Sequence, residues 1–104
     1  MKSYTSIEEK FMNLIFDTEP TIHPNALKHL SKQEVLDAWY SVVESYERQC
    51  AQEPTRWLSI GFCTRGAVEL ISVENGSNYL IIHAMCPVQK IFQEEIKQIK
   101  RRKS

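Results

Sequence analysis

A chain of 104 residues is long enough to fold as one domain around an apolar core without disulfide or metal staples. Its hydrophobic fraction of 42%, charged fraction of 25% and formal net charge of zero are those of an ordinary globular protein, and they argue against a strongly basic nucleic-acid binder. No run of about 18 apolar residues is available to span a bilayer, and the N-terminal MKSYTSIEEK lacks the apolar stretch of a signal peptide, so a cytoplasmic location with no membrane contact is expected.

The first predicted element is a helix from Ile7 to Phe16. Ser6-Ile7-Glu8-Glu9 has capping-box spacing, Ile7, Phe11, Leu14 and Ile15 share a helical stripe, and Glu19-Pro20 closes the segment. Residues 1–20 are thus read as a helical extension. Pro24 suits the first turn of a short helix with Ala26, Leu27 and Leu30 on its apolar side. Ser31-Lys32-Gln33-Glu34 is a second capping box, stapled by Leu30 and Val35. It opens a helix predicted to run from Lys32 to Gln49, with Val35, Trp39, Val42 and Tyr46 on one stripe.

From Arg56 to Met85 the pattern changes to apolar runs of about 6 to 8 residues, broken at Thr64-Arg65-Gly66 and Asn75-Gly76-Ser77, which predicts a three-stranded antiparallel meander. With three-residue loops at both turns, Leu58, Ile60, Phe62, Val68, Leu70, Leu80, Ile82 and Ala84 fall on one face, the expected core. The opposite face then holds Trp57, Ser59, Gly61, Cys63, Glu69, Ile71, Val73, Tyr79, Ile81, His83 and Met85, with Glu69 directly opposite His83. Two-residue turns, which Asn75-Gly76 also supports, would break this partition. A last helix is predicted from Pro87, with Val88, Ile91, Phe92, Ile96 and Ile99 on its apolar side, ending in a basic tail over residues 97–104. That tail reads as a solvated helix end whose cations suit the helix dipole, or alternatively as a phosphate-contacting patch. The expected fold is an α+β domain: a three-stranded meander covered on one face by helices, with added N-terminal and C-terminal helices.

Cys50, Cys63 and Cys86 stand singly, and their odd count argues against a disulfide framework, so reduced thiols are expected. No pair among them and His23, His29 and His83 has zinc-finger spacing, and no metal or cofactor is expected. The residues able to carry chemistry are Glu69 and His83, with Arg65 as a third candidate catalytic group. A glutamate and a histidine in contact can divide the roles of base and acid near neutral pH, and an arginine can stabilise charge on a reacting phosphate. Arg56, Tyr79 and Trp57 are the candidate substrate-binding residues, since a cation with aromatic platforms suits single-stranded RNA. The plainer reading of Glu69 and His83 is a cross-strand pair contributing at most about 1 kcal/mol.

Several local strings carry a family resemblance. Ile22-x-x-x-Ala26-x-Lys28-His29, Ser31-x-x-Glu34-Val35-x-x-Ala38, Arg56-x-Leu58-x-Ile60-Gly61, Glu69-Leu70 and Leu80-Ile81-Ile82-His83-Ala84-Met85 together resemble BrnT-like toxins of bacterial type II toxin–antitoxin modules. The resemblance covers residues 22–92. It implies a RelE-like fold, cleavage of mRNA free or on the ribosome, and a cognate antitoxin as partner. The chain departs from the family at Leu30, where a glycine is usual after Lys-His, and at His83-Ala84, where many members carry arginine. The alternative function is a non-catalytic protein-binding module on the same fold, docking a partner through the apolar Ile71, Val73 and Ile81.

Overall fold

The computed structural model describes residues 19–48 and 54–103. The helix expected over Ile7–Phe16 lies outside the described residues. Over these residues the fold is α+β, and the expected three-stranded meander is part of a larger, five-stranded mixed sheet. Its strands are β1 (Thr21–Ile22), β2 (Glu44–Glu47), β3 (Arg56–Cys63), β4 (Gly66–Asn75) and β5 (Asn78–Met85), in the order β1-β5-β4-β3-β2. The β3-β4-β5 meander forms the centre. β1 joins β5 in parallel, anchored where the His23 N–H donates to the Ile81 carbonyl and the Asn78 side chain to the Glu19 carbonyl. Antiparallel pairing of β2 with β3 makes the other edge.

A 3-10 turn (Pro24–Leu27) precedes the first described helix, α1 (Lys32–Tyr40). Its capping box is formed as expected: Ser31 Oγ accepts from the Glu34 N–H and the Glu34 carboxylate accepts from the Ser31 N–H. The helix ends nine residues earlier than the spacing of Val42 and Tyr46 predicts. Val42 and Val43 are β-branched and lose side-chain freedom in a helix. Ser41 supplies the stop, since its hydroxyl bonds the Asp37 carbonyl and accepts from the Phe62 N–H of β3. The Val43 N–H then donates to the Ile60 carbonyl, and the chain continues as β2.

Both central turns are tighter than expected. Cys63 pairs with Gly66 and Asn75 with Asn78, so two residues, not three, make each connection. In the second, Gly76 takes φ 65° at the first central position, a left-handed conformation that glycine adopts without steric cost. The shorter first turn slides β3 by one residue and reverses its faces relative to β4. A β-bulge at Ile82 inserts an extra residue in β5 and restores the expected parity beyond it.

The sheet is therefore covered on both faces. One core joins Val68, Leu70, Ile81 and Ala84 to Ala26, Leu30, Val35, Ala38 and Trp39 of the 3-10 turn and α1. Leu58, which expectation placed with Leu70, lies on the opposite face with Ile60 and Ile71, beneath Phe92, Ile96 and Ile99 of α2 (Lys90–Lys103). This helix starts three residues later than the position of Pro87 suggests, and Ile91 points to solvent. No helix among the described residues is long and apolar enough to cross a membrane.

Candidate functional site

Glu69 lies on the α2 face of β4 and is 2% exposed. A buried carboxylate is costly unless both oxygens are bonded. Here Oε2 lies 2.7 Å from His83 Nε2, and Oε1 accepts the Gln89 N–H at 2.7 Å. Gln89 occupies the N-cap position of α2, its carbonyl taking the first helical bond from the Gln93 N–H. The carboxylate therefore sits at the positive end of the helix dipole and ties that helix to the sheet.

His83 is not opposite Glu69 as expected: it pairs with Ile71, while Met85 faces Glu69. The two side chains meet along the diagonal, which a pleated antiparallel pair permits. The Ile82 bulge makes this possible. Without the extra residue, the register preceding it would carry His83 through to the α1 face. One third of the His83 side chain is exposed. If Nε2 carries the hydrogen and donates to Glu69, Nδ1 keeps a lone pair that no hydrogen bond occupies among the described residues.

The other candidates are dispersed. Arg56 shares the face of Glu69 but lies towards the opposite end of the sheet, opposite Val73, with Nη1 donating to the Pro54 carbonyl. Arg65, in the β3–β4 turn, donates to the His29 carbonyl at 3.1 Å and lies 3.6 Å from the Glu34 carboxylate. Glu34 is held below its ordinary pKa first by the Ser31 backbone N–H, with Arg65 adding to the effect. Trp57 and Tyr79 lie behind the sheet, on the α1 face. The Tyr79 ring is engaged with Trp39 at a centroid distance of 5.5 Å, and burial followed by the nearby Glu74 raises its phenol pKa. Trp57 Nε1 is buried with no hydrogen-bond partner among the described residues. No cluster of three or more potential metal ligands occurs among the described residues.

Two contributors escaped sequence reasoning. The Gln89 backbone N–H was the less visible, although the unpaired N–H groups of a helix start always need acceptors and a strand glutamate is a natural one. The second is Arg48, whose Nε and Nη2 grip the two Glu95 oxygens at 2.7 and 3.1 Å and hold α2 against the β2 edge. Lys100 adds a contact to Glu44 at 3.6 Å and lies over the Tyr46 ring. Tyr46 hydrogen-bonding and the Glu44 charge raise the Lys100 pKa, so part of the basic tail is committed to the fold.

Comparison with known proteins finds no matching family model, no similar curated protein and no similar solved structure.

Proposed function

We propose that this chain is the toxin of a bacterial type II toxin–antitoxin pair, a BrnT-like ribonuclease in which His83 moves the proton. The observation that carries the reading is the 2.7 Å contact between a solvent-reaching imidazole and a buried carboxylate. Such pairing fixes the tautomer and ring orientation and supports the imidazolium as it forms. Glu69, bonded through both oxygens and 3% exposed in its side chain, is then a positioning residue and does not share the acid and base roles that its pairing with His83 suggested.

His83 Nδ1 takes the proton from a ribose 2′-OH as that oxygen bonds to the adjacent phosphorus. The P–O5′ bond breaks, and the imidazolium returns the proton to the leaving oxygen, giving a cyclic phosphate and a free 5′-OH. Arg56, on the same face, supplies phosphate attraction away from the reacting atoms. General acid–base catalysis is worth about 10² to 10⁴ in rate. His83→Ala should therefore lower RNA cleavage by about that factor and relieve growth arrest on induction, with an unchanged circular dichroism spectrum. A His83→Ala protein as active and as toxic as the parent would overturn the assignment.

The second reading is a non-catalytic binding module. It is favoured by α2, whose seat on Leu58, Ile60 and Ile71 leaves Glu69 without access to a substrate. The docking face expected from Ile71, Val73 and Ile81 is not open, however: Ile71 lies under α2, Val73 is buried and Ile81 belongs to the α1-side core. A parent protein that neither cleaves RNA nor slows growth would establish this reading over the first.

A further inference from the structure

We propose that Asn75 is a self-modifying site: its carboxamide is lost to attack by the Gly76 backbone nitrogen, and the isoaspartyl linkage that results undoes the closing pair of the β4–β5 turn. Of Asn13, Asn25, Asn75 and Asn78, only Asn75 precedes a glycine. A side chain on the following residue would crowd the attacking nitrogen, and glycine has none. Asn75 and Gly76 are both exposed, and a Cβ on Gly76 would meet nothing within 4 Å, so the turn stands open to water. Among the described residues no hydrogen bond engages the Asn75 carboxamide or the Gly76 N–H, which leaves both reacting groups free. Asn78 is held differently. Its side chain donates to the Glu19 carbonyl at 2.8 Å, and a tyrosine follows it.

Asn75 ends β4, where extended backbone keeps its side-chain carbon away from the Gly76 nitrogen. Attack therefore waits on opening of the Asn75–Asn78 pair, the last rung of the ladder, where local opening costs least. Hydroxide takes the Gly76 amide proton, the nitrogen bonds to Asn75 Cγ, and the bond from Cγ to the carboxamide nitrogen breaks with release of ammonia. The five-membered imide then adds one water. Opening at its side-chain carbonyl gives aspartate, and opening at its main-chain carbonyl gives isoaspartate. One amide and one water thus become one carboxylic acid and ammonia, with no change of oxidation state. In the isoaspartyl product the main chain runs through Cβ and Cγ and is one carbon longer. A two-residue connection cannot absorb that carbon and keep Asn75 opposite Asn78. Loss of the pair releases Asn78, whose side chain anchors the chain entering β1.

The test incubates the full chain for weeks at mildly alkaline pH and follows it by native charge separation, intact mass and peptide mapping. The expected product carries one more negative charge than the parent, whose formal net charge is zero, and the change maps to the peptide containing residue 75. An isoaspartyl-specific methyltransferase should label that peptide, which an ordinary aspartate does not allow. Backbone amide exchange at Thr21, Asn78 and Tyr79 should be faster in the aged protein than in the fresh one. Asn75→Gln, whose longer side chain would have to close a larger ring, should keep both its charge and its exchange rates. An Asn75 that stays intact, conversion at Asn25 or Asn78 ahead of Asn75, or an isoaspartyl product with unchanged amide exchange would overturn the proposal. Because no cleavage assay enters, the result is separate from the success or failure of the toxin reading.

Discussion

A single missing methyl sets how closely α1 can lie on the sheet. Gly61 lies where α1 crosses β3, and a Cβ there would overlap the Ala38 carbonyl oxygen and sit 2.7 Å from its carbon. Backbone atoms cannot rotate away as a side-chain tip can, so Gly61→Ala must push α1 off the sheet and disturb Val35, Ala38 and Trp39 together. Overpacking typically costs about 1–3 kcal/mol. A loss of about 3 kcal/mol is expected from the urea midpoint of Gly61→Ala, and a loss below about 0.5 kcal/mol would mean that the helix is seated elsewhere. At Glu69 and His83 the sequence supplied the pairing of residue types but not the roles, because the Gln89 N–H that occupies the carboxylate comes from 20 residues away.

Among the elements, α1 depends on its cap and α2 on its seat. Ser31→Ala removes the acceptor for the Glu34 N–H and should cost about 1 kcal/mol. The cap also has a pH signature. The Glu34 pKa in the folded protein lies below its ordinary value, so the folded state binds that proton less readily than the unfolded chain. Its contribution is complete above the ordinary carboxylate value and disappears as pH falls through the lowered one. Glu34→Gln should therefore flatten the acid limb of the stability–pH curve, measured by thermal melts across the carboxylate range. For α2, Ile96 is 4% exposed against Leu58 and Phe92, whereas Arg48 and Glu95 form an ion pair whose side chains are 27% and 33% exposed. Ile96→Ala should cost about 2–5 kcal/mol and Arg48→Ala about 1 kcal/mol or less. Denaturant melts that rank the two in the reverse order would show that charge, not burial, holds the helix.

At the scale of the whole molecule, the sheet ends, among the described residues, in short edges: two residues at β1 and four at β2. A short acidic edge such as Glu44-Ser45-Tyr46-Glu47 discourages self-pairing, because like charges directly opposite repel, yet leaves backbone groups for a partner of different sequence. Under the toxin reading that partner is an antitoxin encoded beside this gene. Co-expression should yield a co-purifying complex, and binding at about 100 times the dissociation constant should stabilise the fold by about 2.7 kcal/mol, seen as a higher melting temperature. Failure to recover any complex at micromolar concentrations would count against that reading.

What the sequence determined by itself is local. The Ser31–Glu34 box, the existence of β3, β4 and β5, and the Phe92, Ile96 and Ile99 stripe were legible because each is a contact or a periodicity within one element. Tertiary structure alone decided the rest. Val42 to Tyr46 fit a helical stripe and a strand equally well, and pairing with Ile60 and Leu58 chose the strand. The faces of the sheet were set by parity: one residue fewer in the first central turn reversed β3, and one residue more at Ile82 brought His83 back to the side of Glu69. Side chains alternate with period two, so a single-residue change in a connection turns over a whole strand while leaving its own pattern untouched.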